Sequence, residues 1–130
     1  MSSKQNTVEL ALQQIKSFCL DIIEARKVFG NAEEFALNRL YQNTVLYSLE
    51  HIGEYASWID LWLQREIPQI PWKKVIGFRV VSAHIYHDMD FASAWYTVEN
   101  DIPFLLETLE SLGPIRVEED EVIRSSPSTR

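Results

Sequence analysis

The apolar residues Val8, Leu12, Ile15, Cys19 and Ile22 recur every three or four positions, and that spacing leaves one local structure open to the first part of the chain. A helix turns once in about 3.6 residues and gathers such positions on one face, whereas a strand would scatter them to both sides. A first amphipathic helix is therefore expected from about Val8, widened by Ala11, Phe18 and Ile23 and ending near Phe29-Gly30. Asn31 then precedes Ala32-Glu33-Glu34, an N-cap with glutamate at the third helical position, so a short new helix is expected to start there and lead into a longer one.

The segment from Leu37 to Leu63 carries Leu40, Val45, Leu49, Ile52, Ala56, Ile59 and Leu63, with aromatic residues on more than one side. That breadth implies burial on two faces, as in the central helix of a bundle or at a dimer contact. Pro68 and Pro71 interrupt the pattern, because proline has no amide donor and disfavours helix in the residue before it. A further helix is expected from about Pro71 to Tyr86, and His87-Asp88-Met89 reads as a connector. Asp90 caps the last helix, which carries Phe91, Trp95, Val98, Ile102, Leu105, Leu106, Leu109 and Leu112. Pro103 is expected to kink or restart it with Asn100 or Asp101 as a cap, and Gly113-Pro114 to end it. No strand pattern and no internal repeat is visible. The expectation is all-α: an up-and-down bundle of four to five helices in one domain over residues 1–113. The acidic tail over 114–130 lacks the apolar surface to order itself.

Composition narrows the function. With 130 residues, 46% of them hydrophobic, there is room for one core and not for two. No run approaches the roughly 18 apolar residues that a membrane span needs, and the start MSSKQNTVE lacks a secretion pattern, so a cytoplasmic protein is expected. The lone Cys19 has no disulfide partner and no neighbouring ligands, and no metal or other cofactor is expected. A net charge of -7 argues against a protein that coats nucleic acid, since phosphate binding relies on lysine and arginine. The charge is uneven, however. Arg65, Lys73, Lys74 and Arg79 face only Glu66 in their stretch, whereas Glu99 to Glu121 holds eight acids against Arg116. A local phosphate site on an acidic body is compatible with that distribution.

Arg79, His84 and Tyr86 fall together in FRVVSAHIYHD. Spacing alone says little, but the stretch IPWKKVIGFRVVSAHIYHDMDFASAWYTVENDIPFLLETL resembles the signature half of the HepT family, within the HEPN superfamily. The matching elements are Ile70-Pro71-Trp72, Gly77, Arg79, His84, Tyr86, Asp90, Trp95 and Asn100-Asp101-Ile102-Pro103. Upstream, His51-Ile52-Gly53-Glu54 resembles the family's Gly-Glu-Ala helix, with Tyr55 where alanine is usual. One departure stands out: Val80 follows the motif arginine, where the family usually has a polar residue, commonly asparagine.

The resemblance implies a HEPN-like helical domain that cleaves RNA, tRNA or mRNA, without a metal. His84 would move the proton of a ribose 2′-hydroxyl or of the leaving oxygen, as imidazole can near neutral pH. Arg79 would stabilise the charge that the phosphorane gains. The resemblance also implies a partner, a nucleotidyltransferase antitoxin of the MNT type, which attaches AMP to Tyr86 and silences the toxin. This chain has no glycine-rich phosphate loop or paired-aspartate motif and is not itself the transferase. Five helical residues turn about 140° and rise roughly 7.5 Å, so Arg79 and His84 of one chain do not share a face. Either the helix ends near His84 or a homodimer completes the site, and the dimer is the expectation favoured here.

Plainer roles compete for several of these residues. Trp58, Trp62, Trp72 and Trp95 are expected as core or interface anchors rather than platforms for RNA bases. His51 and His87 read as incidental. Lys73 and Lys74 are candidates for guiding RNA, and Glu54 for orienting Arg79 across helices. A second functional class stays open beside the nuclease. It is a catalytically silent dimeric subunit that presents Tyr86, or a nucleotide, to the transferase, and Val80 and the acidity speak for it.

Overall fold

A computed structural model describes residues 3–80 and 90–115. His84, Tyr86 and His87 lie outside the described residues, as does the tail beyond Ile115. Among the described residues every regular element is helical.

Helix α1 (Ser3–Phe29) buries the expected stripe of Val8, Ala11, Leu12, Ile15, Cys19, Ile22 and Ala25. Arg26 and Lys27 sit in its last turn, where cations offset the partial negative charge of the unpaired carbonyls. Gly30 ends it with φ at +121°, a backbone conformation that a side chain would strain. Burial pushes the Cys19 thiol up to about 12, which keeps it a protonated core residue.

Helix α2 (Ala32–Leu37) starts as the sequence implies, with the Asn31 amide donating to Glu34 Oε1 at 3.0 Å. Helix α3 (Arg39–Ser57) follows after the single residue Asn38, whose side chain accepts from the Tyr41 amide at 3.0 Å. Asn38→Ala leaves that amide unmet and is expected to cost about 1 kcal/mol, read as a drop of roughly 4 °C in thermal melting. Phe18 of α1 meets Tyr47, His51 and Tyr55 of α3, and the later part of α1 meets the earlier part of α3, so the two run antiparallel. Val45, Leu49, Ile52 and Ala56 are buried, as their spacing implied. Leu40 is not: it is exposed, as is Leu37, because the turn at Asn38 swings them to the outer surface.

The periodic segment also does not continue unbroken to Leu63. Trp58 closes α3, Ile59 stays buried, and a new short helix α4 (Leu61–Glu66) begins after Asp60, which pairs with Lys4 of α1. The two prolines then shape the crossing to α5 (Trp72–Ile76), and the buried Trp72 indole donates to the Ile67 carbonyl at 3.0 Å across that loop. Instead of one helix from Pro71, the chain turns at Gly77 and resumes helical geometry over 78–80. The Gly77 amide bonds back to Lys73 and the Val80 amide to Gly77, a tighter turn that drives Phe78 into the core.

Asp90 caps α6 (Phe91–Tyr96), accepting from the Ser93 amide at 3.2 Å and its hydroxyl at 2.7 Å. Phe91 and Trp95 pack on Phe35 and so bring α6 against α2. Pro103 neither stops the helix nor calls in a capping side chain. A wider π-helical turn (Thr97–Asp101) leads straight into α7 (Ile102–Ser111), and the Ile102 amide reaches back five residues to the Thr97 carbonyl. Proline has no amide to give Glu99, and its ring crowds that carbonyl; one extra residue in the turn relieves both. Asp101 makes no side-chain cap and Asn100 donates to the Tyr96 carbonyl instead. Gly113, φ +71°, ends α7, after which the Ile115 carbonyl accepts from Gln5 at 2.7 Å.

Candidate active site around Arg79

Two consecutive residues of α3 hold Arg79. A Cβ on Gly53 would lie 2.5 Å from Arg79 Cγ, 2.8 Å from the Ile76 carbonyl oxygen and 3.0 Å from the Arg79 amide. Only a bare Cα admits the backbone and arginine stem so close. Glu54 then meets the other end of the side chain, its Oε1 accepting from Arg79 Nη1 at 2.9 Å. The second carboxylate oxygen lies 3.4 Å from the Trp58 indole nitrogen, a long contact from one turn further along α3. Stem and head of the arginine are thus fixed by one rigid helix. Its side chain stays 42% exposed, leaving guanidinium donors in reach of an incoming anion.

A second cation is held in a similar way. Lys74 Nζ meets Asp101 Oδ1 at 3.0 Å and lies 5.4 Å from the Tyr96 ring centre. Asp101 is only 18% exposed, and its other oxygen is buried without a donor among the described residues. The π turn places that carboxylate against α5. Lys73, one residue earlier, is exposed. The two lysines of the sequence motif are therefore unlike: Lys74 is tethered and Lys73 faces solvent.

Of the residues singled out in the sequence, Arg79 and Glu54 are in direct contact, and Lys74 sits on the same short segment as Arg79. His84 and Tyr86 lie outside the described residues. Val80 is 56% exposed beside Arg79. His51 serves packing, its ring 4.1 Å from that of Tyr47 and its Nδ1 2.9 Å from the Tyr47 carbonyl. The tryptophans divide. Trp72 is buried, Trp95 stacks under Arg26 at 5.0 Å, Trp62 packs on the core, and Trp58 is partly exposed beside Glu54. Sequence reasoning missed the Gly53 seat, although a glycine in mid-helix was its signal. The contacts of Asp101 and Tyr96 to Lys74 depend on the π turn and had no local signal.

A profile of the family described as "Ribonuclease HepT-like" matches residues 8–112, nearly all of the described chain. The chain belongs to the HepT-like ribonuclease family. It is similar to "Putative RNase MJ1380" of Methanocaldococcus jannaschii, 29% identical over 107 residues that cover 78% of this chain and 98% of that one. It is also similar to "Probable ribonuclease HepT" of Thermococcus cleftensis, 35% identical over 103 residues covering 75% and 94%. "Putative RNase MJ0125" of the first organism is 30% identical over 105 residues, covering 81% and 90%. No solved structure matches. Among the described residues no helix is long and apolar enough to cross a membrane.

Proposed function

We propose that this HepT-like chain is a metal-independent endoribonuclease toxin of the cytoplasm, acting on tRNA or mRNA as a homodimer. The observation that carries the reading is the seat of Arg79: a guanidinium locked at stem and head yet open to solvent is preorganised for a phosphate. In the reaction a ribose 2′-oxygen attacks the adjacent phosphorus, the bond to the 5′-oxygen breaks, and a proton passes from the first oxygen to the second. Arg79 stabilises the charge on the phosphoryl oxygens, and His84 carries the proton. The second subunit closes over Trp58 and Val80, the exposed apolar residues next to Glu54 and Arg79. Lys73, with its exposed ammonium, guides the RNA backbone, and Lys74 holds the π turn to α5. An MNT-type nucleotidyltransferase silences the toxin by attaching AMP to Tyr86, which adds bulk and negative charge to the sequence motif that carries Arg79 and His84.

The purified chain, incubated with single-stranded RNA in excess EDTA, is expected to leave 2′,3′-cyclic phosphate and 5′-hydroxyl ends, and its expression alone to arrest growth unless the transferase is co-expressed. Products with 5′-phosphate ends, or cleavage that stops in EDTA, would overturn the mechanism. Val80 favours a second reading, a silent dimeric subunit that presents Tyr86 or a nucleotide to the transferase, because an apolar side chain there offers the arginine no polar support. RNA left uncut, with a stable complex formed between the chain and the transferase or a nucleotide, is the result that would select it.

Glu54 acts as a positioning residue. Glu54→Gln is expected to leave stability within about 0.5 kcal/mol, since the ion pair is half-exposed and screened by solvent. Turnover should fall roughly ten-fold with KM little changed, because the loss falls on the transition state. A matching loss in thermal melting would instead mark Glu54 as structural.

A further inference from the structure

At the end of the α1 and α3 pair away from Arg79 lies an open groove of about 570 Å³. Ala25, Val28, Phe29 and Tyr47 form its apolar part, and Asp21 and Glu24 are its charged residues. Val28 is 66% exposed and Tyr47 is also exposed. We infer that this groove docks a basic amphipathic helix of another protein, with its apolar face on Val28 and Tyr47 and its lysines or arginines toward Asp21 and Glu24.

The charges decide between occupants. A second copy meeting the groove through a two-fold axis would set Asp21 and Glu24 against their own counterparts, on a body whose net charge is already -7. An RNA backbone would meet the same two carboxylates with no lining cation to offset them. A basic helix gains on both counts, through burial of the apolar part and attraction at the rim. The groove takes in α1 from Asp21 to Phe29, about 12 Å of helix axis, so roughly two turns of a partner fit. A contact that small belongs with transient interfaces, and micromolar affinity that weakens with salt is expected. The inference does not depend on whether Arg79 acts on RNA.

The probe is a synthetic helical peptide with leucine on one face and lysine on the other, labelled for fluorescence anisotropy, beside its glutamate-for-lysine counterpart. The lysine peptide should bind the full-length chain one to one and the glutamate peptide should not. Glu24→Lys and Val28→Ser should each weaken binding by about ten-fold, roughly 1.4 kcal/mol. Glu107→Lys, the same charge change at an exposed position on α7, should alter it less than two-fold or so. Both groove residues are exposed, so neither variant threatens the fold, and circular dichroism verifies that. Equal weakening by Glu107→Lys would reduce the effect to general attraction and overturn the inference. So would a change in sedimentation mass caused by Val28→Ser, which would make the occupant a second copy, or a loss of direct RNA binding by the chain on Val28→Ser, which would make it RNA.

Discussion

Arg79→Ala is expected to lower RNA cleavage by two to three orders of magnitude while the fold survives nearly untouched. The two halves of that expectation have separate grounds. A preorganised charged donor aimed at a developing oxyanion is worth about 10²–10³ in rate, because nothing else in the site can replace a permanently charged fork. The stability lost is small, below about 1 kcal/mol, because the pair with Glu54 is half in water and its attraction is screened. His84→Ala should show a comparable loss through the proton transfer. Arg79→Lys is the sharper control. Its ammonium keeps the charge but not the forked geometry, so it should restore only a small part of the rate. Cleavage rates with a chimeric RNA, set beside thermal melting of each variant, check the case. Full activity in Arg79→Ala would remove the arginine from the chemistry and put the catalytic centre elsewhere in the HepT-like fold.

Gly53→Ala should damage both stability and activity, although alanine is the better helix former. In an ordinary helix interior the substitution would stabilise by about 1 kcal/mol. Here the new methyl meets Arg79 Cγ at 2.5 Å and the Ile76 carbonyl at 2.8 Å, and the second of these is backbone that cannot rotate aside. Overpacking of that kind costs about 1–3 kcal/mol, enough to cancel the helical gain and leave a net loss of about 1 kcal/mol. The larger consequence falls on function. If α5 is pushed away from α3 by even half an ångström, Glu54 and Arg79 no longer meet as they do, and cleavage is expected to fall by roughly a hundred-fold. The ratio of the two effects is diagnostic. A melting temperature that rises together with unchanged cleavage would show that the segment carrying Arg79 relocates freely and that Gly53 is no seat at all.

Much of this fold was legible in the residues because local and tertiary preferences agree. The α1 stripe, the Asn31 start, the proline break after Glu66 and the Asp90 cap each rest on chemistry within a turn or two of chain, and each forms where expected. The misreadings share a different cause. Leu40 looks like a core residue by spacing, but Asn38 resets the helix axis, and periodicity cannot register a reset of one residue. The helix expected from Pro71 to Tyr86 runs across Gly77, yet a tight turn there is what buries Phe78. The site divides in the same way. Arg79 and Glu54 could be named from the sequence, but their contact spans 25 positions and only the packing of α5 on α3 brings it about. The Lys74 tether needed the π turn, whose geometry follows from Pro103 but whose direction does not.

That turn also bears on how related chains should be compared. Because Thr97–Asp101 takes up one residue more than a plain helix would, α6 is rotated by about 100° against α7 relative to an unbroken path. Trp95 faces Arg26 and Phe35, and Leu105 faces the core, only with that offset in place. Deleting that extra residue would restore a plain helix and leave both facing inward, whereas a deletion in either flanking helix would carry one of the two out of the interior. One-residue gaps in this region are therefore expected within the turn rather than beside it, and a sequence with a gap there should lack the proline as well.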